Sequence, residues 1–539
     1  MNIIKPKRQH LFSRSRYYYS LLIKYTAVMS TNISTLIKWR SYKGLVLFGV
    51  ILIAGCGSLR PIELPSEYST APAQTALWRE VGNIRDDDWF HLLNTGDEAI
   101  EWRQRLIDSA SQSLDLQTFL WKHDRTGLKI LRHIYEAADR GVRVRILLDD
   151  TFTANLDEAI WEIDHHPNIE FRVYNPFARR SSSIAIRQLL NLGDFSRVDH
   201  RMHNKLMVAD NNAAIVGGRN LADEYFGAHD AANFRDLEVL TAGPAVQSLS
   251  RQFDEYWNSD WSFPVANLVS KPPSMTPQEF EARILATVEQ GLDEGSAARE
   301  QAWKVTAMAG VAGEVVVFAD HPATDNPADA DELPTQLAEE LIGWMETAQD
   351  ELILVSAYLI PTAELEQAIE QAEKRGVRVR ILTNSLRSNN HVAAHSAYRH
   401  HVKRLIGHGA EVHEVRVFAK DRGLYMEQPV IDKHLALHGK MLLIDDHLSY
   451  IGSANLDPRS LRLNTEMGLL IKSRDFNRLV REVVALDFHQ RNAWQLQEKG
   501  DEGLVWVADD KVLHEQPAES DMQRLEDWFL SILPIEREM

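Results

Sequence analysis

Two stretches of the chain carry the same reactive residues at the same spacing. His203, Lys205, Asp210, Gly217, Gly218 and Asn220 lie in HNKLMVADNNAAIVGGRN. His438, Lys440, Asp445, Gly452, Ser453 and Asn455 lie in HGKMLLIDDHLSYIGSAN. Both fit H-x-K-x4-D-x6-G-[GS]-x-N. Paired imidazoles, ammonium groups and carboxamides suit one chemistry, the opening of a phosphodiester anion through a covalent histidine. Lys205 and Lys440 would neutralise the phosphate, and Asn220 and Asn455 would donate to its oxygens. One imidazole would attack phosphorus. The other would protonate the leaving alcohol and then deprotonate an acceptor. The spacing does not say which ring takes which role. None of these steps needs a metal or a cofactor.

An imidazole that must present one nitrogen needs a carboxylate on the other. Asp236 lies 33 residues after His203 and Glu466 lies 28 after His438. Both open apolar runs and are the candidate orienting groups. Asp210 and Asp445 complete the motif and join the candidate catalytic set, although their place at expected turns favours capping a hairpin over moving a proton.

The scaffold must bring these sets together. GVRVRIL occurs from Gly141 and again from Gly376, an offset of 235 that His203 and His438 share. ASQSLDLQTFLW from Ala110 echoes AQDELILVSAYL from Ala348. A repeat on this scale reads as two homologous domains. Val142, Val144, Ile146 and Leu148 alternate as in a strand, and Leu128, Leu131, Ile134, Tyr135 and Ala138 recur at helical spacing before it. Strand, helix, strand predicts a βαβ crossover and an α/β fold. The motif itself predicts a hairpin. His203, Lys205 and Met207 would share one strand face, Asp210-Asn211-Asn212 would turn, and Ala213 to Val216 would return.

The boundaries follow composition. Residues 1–56 form a signal or lipoprotein segment, with Met29 a more ordinary start. Residues 57–75, rich in Pro, Ser, Thr and Ala, read as a tether. The first domain spans 76–265, a connector 266–314, the second domain 315–505, and a C-terminal appendage 506–539. In that appendage WFLSILPIE is apolar enough to touch a membrane, though packing onto the second domain is the plainer reading.

Net charge is −18. Residues 1–56 hold nine basic and no acidic residues; without them 50 basic face 77 acidic, a net −27. Such a surface repels polyanions, so no nucleic-acid partner is expected. Cys56 is the only cysteine, which rules out an intrachain disulfide and a cysteine zinc site. Lys38, Arg40 and Lys43, the apolar run 44–55 and then Cys56 have the order of a secretory signal. The run is shorter than the roughly 20 residues of a spanning helix. A cysteine at the cut resembles a bacterial lipoprotein box, with Cys56 the lipidated residue. That places the chain in a bacterial cell envelope, on a membrane surface, facing the periplasm or exterior.

Two further clusters are weaker signals. His391, His395, His400, His401, His408 and His413 crowd one region without a cysteine or H-E-x-x-H partner, and read as a solvated helix or groove wall. Arg179-Arg180 and Arg197 to Arg201 could attract an anionic headgroup or form a solvated patch.

The paired motif resembles the phospholipase D superfamily. DFSRVDHRMHNK, VGGRNLADEYFGA, ILTNSL, GSANLDPRS, LNTEMG and AWQLQ are similar to segments of bacterial cardiolipin synthases, nearest the C type, from about Trp89 onward. The resemblance implies two α/β/α sandwich domains, related by a pseudo-twofold, with one shared active site. It implies His203 as nucleophile and His438 as general acid and base. It implies phospholipid substrates, with phosphatidylglycerol or phosphatidylethanolamine as donor and phosphatidylglycerol as acceptor. After ILTNSL this chain has Asn389-Asn390 where the family tends to have Asn-Asp, which leaves headgroup preference open. Hydrolysis to phosphatidic acid is the alternative reaction. A nuclease of the same superfamily and a non-catalytic lipid-binding lipoprotein are further readings; the charge disfavours the one and the intact His and Lys pairs the other.

Overall fold

The computed structural model describes residues 59–269, 274–287, 294–323, 336–534, 536 and 539. The segment read as a lipoprotein signal, with Cys56, lies outside the described residues.

In the first half β1 (Trp89–Leu93), β2 (Ser113–Thr118), β3 (Arg143–Asp149), β4 (Ile169–Tyr174), β5 (Leu206–Ala209), β6 (Ala213–Gly217), β7 (Ala232–Arg235), β8 (Glu238–Ala242) and β9 (Ser262–Pro264) follow in order. The second half supplies β10 (Val311–Ala312), β11 (Glu314–Ala319), β12 (Glu351–Val355), β13 (Arg378–Asn384), β14 (Glu411–Val415), β15 (His434–Leu437), β16 (Met441–Ile444), β17 (Leu448–Gly452), β18 (Met467–Lys472), β19 (Ala493–Lys499), β20 (Gly503–Val507) and β21 (Val512–Leu513). One sheet runs β10-β1-β8-β6-β5-β2-β3-β4-β9 and the other β11-β18-β17-β16-β12-β13-β14-β19-β20-β21. From β1 to β9, and from β11 to β19, the two orders are the same. β2, β3 and β4 are parallel, as are β12, β13 and β14. The motif hairpins β5–β6 and β16–β17 pair antiparallel beside them.

The repeated GVRVRIL works locally as a stop and a start. Helices Arg125–Asp139 and Ala363–Lys374 begin on Asp124 and Thr362, whose side chains accept from Gly127 and Leu365 amides. They end at Gly141 and Gly376, which sit at φ +93° and +87°, a left-handed cap that suits glycine. The chain then enters β3 or β13, whose apolar residues are buried.

Each half has its own apolar core, and a third cluster belongs to both. Phe90, Leu147, Val208 and Trp257 of the first half pack with Val355, Met441, Ile451 and Phe476 of the second. Phe90 and Phe476 meet edge to face at 5.7 Å. Fusing the halves through apolar burial, rather than through a mobile linker, fixes their register.

Three segments outside the two repeats pack onto them. The connector is not free: helices Pro277–Thr287 and Ser296–Ala309 place Phe280, Ile284 and Trp303 in the first half's core. Trp303 meets Trp78 and Trp102 at 5.1 and 5.0 Å. The tether is bound over its second part, where Glu67 and Ser69 amides donate to Asn258 and Asp254 and the Ala73 amide to the Asp210 carbonyl. The second sheet runs on through β20 and β21, so the appendage starts inside it. A Pro/Ser-rich composition marks chain without its own periodicity, but cannot show that its backbone groups find partners on a neighbour. Among the described residues no helix is long and apolar enough to cross a membrane.

Candidate active site

The two halves exchange strands at the points where their histidines lie. β15 pairs parallel with β7, ending in the pair Leu437 and Arg235. Met202 forms the equivalent bridge with Thr465. At each exchange the next residue is a motif histidine, and its amide donates across the boundary: His203 to the Thr465 carbonyl at 2.9 Å, His438 to the Arg235 carbonyl at 2.8 Å. The residues after those carbonyls are Glu466 and Asp236. His203 Nδ1 therefore meets Glu466 at 2.8 Å, and His438 Nδ1 meets Asp236 at 2.7 Å. Each orienting carboxylate serves the histidine of the other half, where its nearness in sequence had pointed to its own. With Nδ1 bound, Nε2 of each ring is left for chemistry.

His203 lies just ahead of β5, so the expected shared strand face reaches only from Lys205 inward. The lysines take matching poses. Lys205 Nζ donates to the His203 carbonyl at 2.6 Å, and Lys440 Nζ donates to that of His438. Lys440 Nζ also lies 2.9 Å from His438 Nδ1. All four side chains are buried. Asn220 and Asn455, one step beyond the hairpins, are buried with carboxamide oxygens that have no hydrogen-bond partner among the described residues. A flip of either amide turns its NH2 to the same place, so both ends can serve an incoming group.

The G-[GS] position differs between halves for a steric reason. A Cβ on Gly218 would sit 2.4 Å from Asp236 Oδ1. At the equivalent place the Ser453 hydroxyl donates to Glu466. The Glu466 amide donates to Asp320 at 2.9 Å.

The electrostatics tie the groups into one cluster. Burial, then Lys205 and Lys440, hold the His203 imidazole well below its ordinary value. Burial and Lys440, with Lys205 adding to them, bring His438 down to about 3. Burial lowers Lys205 to about 7 and Lys440 to about 8, because a buried ammonium loses its hydration. The same burial raises Glu466 to about 7. Burial also acts upward on Asp236, but the hydrogen bond from His438, with the charges of Lys440 and Arg219, outweighs it and keeps that carboxyl ionised. Each histidine thus feels the lysine of the other half, which places both motifs at one centre.

Asp210 and Asp445 do not join it. They turn the far ends of the hairpins at φ +55° and +47°. Asp210 accepts from the amides of Ser111, Gln112 and Ser113 and from Trp78 Nε1 at 2.7 Å. Asp445 accepts from the amides of Gln349, Asp350 and Glu351. Both tie a hairpin to the start of the neighbouring strand, and their place in the catalytic set is corrected to a structural one. The arginine segment is corrected too: Arg180 pairs with Asp150 and Asp157, Arg197 with Asp194 and Arg201 with Asp149, so these three charges are matched internally. In the histidine-rich region His395, His401 and His413 are buried, and His391 and His400 are exposed. His395 binds Asp527, His400 the Ser531 carbonyl and His401 Glu536, and together they hold the C-terminal segment.

Sequence reasoning missed the aromatic walls. Phe119 stands edge-on to His203 at 4.9 Å, Tyr225 edge-on to His438 at 4.9 Å, and Phe234 lies at 5.3 Å. Their only signal was position, Phe119 just past β2 and Phe234 in β7. These rings exclude water from the faces of both imidazoles and add to the burial that keeps them neutral.

A family profile described as "Cardiolipin synthase, PLD-like domain" matches residues 104–257 and 341–486. Cardiolipin synthase C of Escherichia coli (strain K12) is 30% identical over 447 residues, covering 81% of this chain and 93% of the relative. Cardiolipin synthase B of Salmonella typhi is 28% identical over 75% of this chain and 80% of the relative. Among solved structures, phosphatidylserine synthase of Haemophilus influenzae Rd KW20 covers 86% of this chain at a TM-score of 0.54 and 14% identity, a likeness of fold.

Proposed function

The chain belongs to the cardiolipin synthase, PLD-like domain family, and from that premise we propose that it makes cardiolipin by phosphatidyl transfer through a covalent histidine. It is a phospholipid-modifying enzyme of the phospholipase D family with two PLD-like halves. The observation that carries the mechanism is the crosswise pairing of His203 with Glu466 and His438 with Asp236.

The two pairs are unequal, and the inequality supports distinct roles. Asp236 stays ionised beside His438 and can stabilise an imidazolium there. Glu466, raised to about 7, stabilises a cation at His203 less well, which favours a neutral nucleophile. His203 Nε2 attacks phosphorus of a phosphatidylglycerol or phosphatidylethanolamine donor. The P–O bond to the headgroup breaks, and His438 gives the departing alkoxide its proton. His438 then takes the proton of a terminal glycerol hydroxyl on phosphatidylglycerol. That oxygen attacks phosphorus, the P–N bond breaks, and His203 is restored. Lys205, Lys440, Asn220 and Asn455 hold the non-bridging oxygens throughout. Arrival of the phosphate anion offsets the two lysine charges and lifts His438 towards the range where an imidazolium can form.

In the same reading Cys56 is lipidated and the enzyme works on a membrane surface of a bacterial cell envelope. Expression in cells lacking cardiolipin, with lipid analysis, tests the reaction. Cardiolipin should appear with the native chain and not with His203→Ala. Phosphatidic acid accumulating instead would contradict transfer in favour of hydrolysis. Cys56→Ala should release the protein from the membrane fraction or send it to another membrane; an unchanged distribution would contradict lipidation.

A further inference from the structure

The C-terminal helix Asp521–Ser531 is built inside out. Its inward side is polar: Asp527 is fully buried, where His395 binds it at 2.8 Å and Arg399 and Gln516 donate to it. Its outward side is apolar. Met522, Leu525, Trp528, Phe529 and Ile532 follow at helical spacing and are 53–69% exposed. A surface helix of a soluble domain ordinarily carries its apolar stripe inward. Here the stripe faces away from the protein, and a set of buried ion pairs holds it there.

The position of the helix gives the stripe a meaning. Gln523 donates to the Leu386 carbonyl, just past the C-terminal end of β13. In both halves the C-terminal ends of the parallel strands are where the catalytic segments lie, because β5 and β16 run antiparallel to β2 and β12. The first half exposes a second apolar group at its equivalent end. Ile186, Leu189, Leu192 and Phe195, in the segment that follows β4, are 50–58% exposed. That segment leads to His203 and touches the second half, where His200 Nδ1 meets the Leu463 carbonyl and Arg459 pairs with Asp199. A line of rings joins surface to site: Phe152, 44% exposed, meets Phe119 at 5.4 Å, and Phe119 meets His203 at 4.9 Å.

We infer that the catalytic end of the molecule is a bilayer-docking face, with the outward stripe of helix Asp521–Ser531 and the Ile186–Phe195 segment entering the lipid interface on either side of the site. The inference rests on the phospholipid-transfer reading and adds the surface by which the substrate is met. A bilayer fits because large aliphatic and aromatic side chains carry both patches, while Arg187 is buried on Asp150 and Arg524 pairs with Asp521. Arg180 and Arg197 nearby are matched by internal carboxylates. The chain's net charge of −18 opposes ionic attraction to anionic lipid, so the contact is apolar and insensitive to salt.

The test uses the full chain carrying Cys56→Ala, so that one introduced cysteine can bear an environment-sensitive fluorophore. Trp528→Cys places it on the stripe; Lys374→Cys, at the last residue of helix Ala363–Lys374, places it at the opposite end. With phosphatidylcholine vesicles, the Trp528 label should brighten and be quenched by bromines on the acyl chains, equally at low and high salt, while the Lys374 label does neither. No change at 528, or equal change at both sites, would overturn the inference. So would a 528 label already shielded before lipid is added, in proportion to protein concentration, because a second copy would then cover the stripe. A Trp528→Ser/Phe529→Ser chain should lose about tenfold activity on vesicles and none on dispersed short-chain phospholipid. Equal loss on both would also overturn it. If the unsubstituted chain transforms neither substrate, the transfer reading falls, and the quenching result stands by itself.

Discussion

His203 is oriented by Glu466, a carboxylate 263 residues away in the other half of the chain, at 2.8 Å from Nδ1. His438 and Asp236 repeat the arrangement over 202 residues. Neither half holds a complete catalytic pair. The active site exists only because the halves fuse, and the shared apolar cluster between them is as much a part of catalysis as the motif residues are.

The crosswise pairing has a kinetic signature. Glu466→Gln should slow formation of the covalent intermediate about 10–100-fold, since it loosens the nucleophile. Asp236→Asn should slow both that step, whose departing headgroup His438 protonates, and intermediate breakdown, where His438 deprotonates the acceptor, by a similar or larger factor. Rapid-quench kinetics on each variant separates these steps. Asp236→Asn leaving breakdown unchanged, or Glu466→Gln slowing breakdown more than formation, would contradict the assignment.

The pH profile follows from burial. Binding an anionic diester needs Lys205 and Lys440 protonated, and these stand at about 7 and 8. As pH rises through that window the lysines lose their charge, so kcat/KM should fall. The nucleophile must be neutral, and His203 lies well below its ordinary value. The acid limb should therefore fall below pH ~6.5, the ordinary histidine range. A kcat/KM that climbs from pH 7 to 9 would contradict this ordering.

The paired glycine position should not tolerate exchange. Gly218→Ala drives a Cβ into the Asp236 carboxylate, and should cost about 100-fold in kcat by displacing the His438 partner. Ser453→Ala removes one donor from Glu466 and should cost about tenfold or less. Steady-state kinetics with matched circular dichroism checks both. A harmless Gly218→Ala would show that Asp236 is not held where the site requires it.

Asp210 should matter for folding rather than chemistry. Asp210→Ala strands three backbone amides and the Trp78 indole, and should cost on the order of 3 kcal/mol. Asp445→Ala, at a more exposed turn, should cost about 1 kcal/mol. Denaturant melts measure the loss, while kcat of the remaining folded protein should stay within about twofold. A kcat collapse without loss of stability would return these residues to the catalytic set.

Much of this was legible in residue order. The period-two run from Val142 to Leu148, the preceding helical stripe and the Asp-Asn turn all encode contacts a few residues apart, and each formed as spaced. Asp236 and Glu466 were found as candidates because a buried carboxylate opening a strand is a local signal. Their crossing was not, because sequence proximity carries no information on which half a strand end will face. The inward Asp527 and outward Trp528 were missed for the same reason. WFLSILPIE reads either as touching a membrane or as packing onto the second domain, and only the position of His395 shows which side faces in.

The account turns on a bond between phosphorus and one histidine, made and broken across two halves of one chain. The direct measurement is an alkaline quench of the full chain turning over phosphatidylglycerol, followed by peptide mass mapping. A phosphatidyl adduct should be found on the peptide containing His203, should form slowly but then persist in His438→Ala, which lacks both the acid for headgroup departure and the base for the acceptor, and should be absent in His203→Ala. An adduct on His438, or turnover that survives His203→Ala, would contradict it.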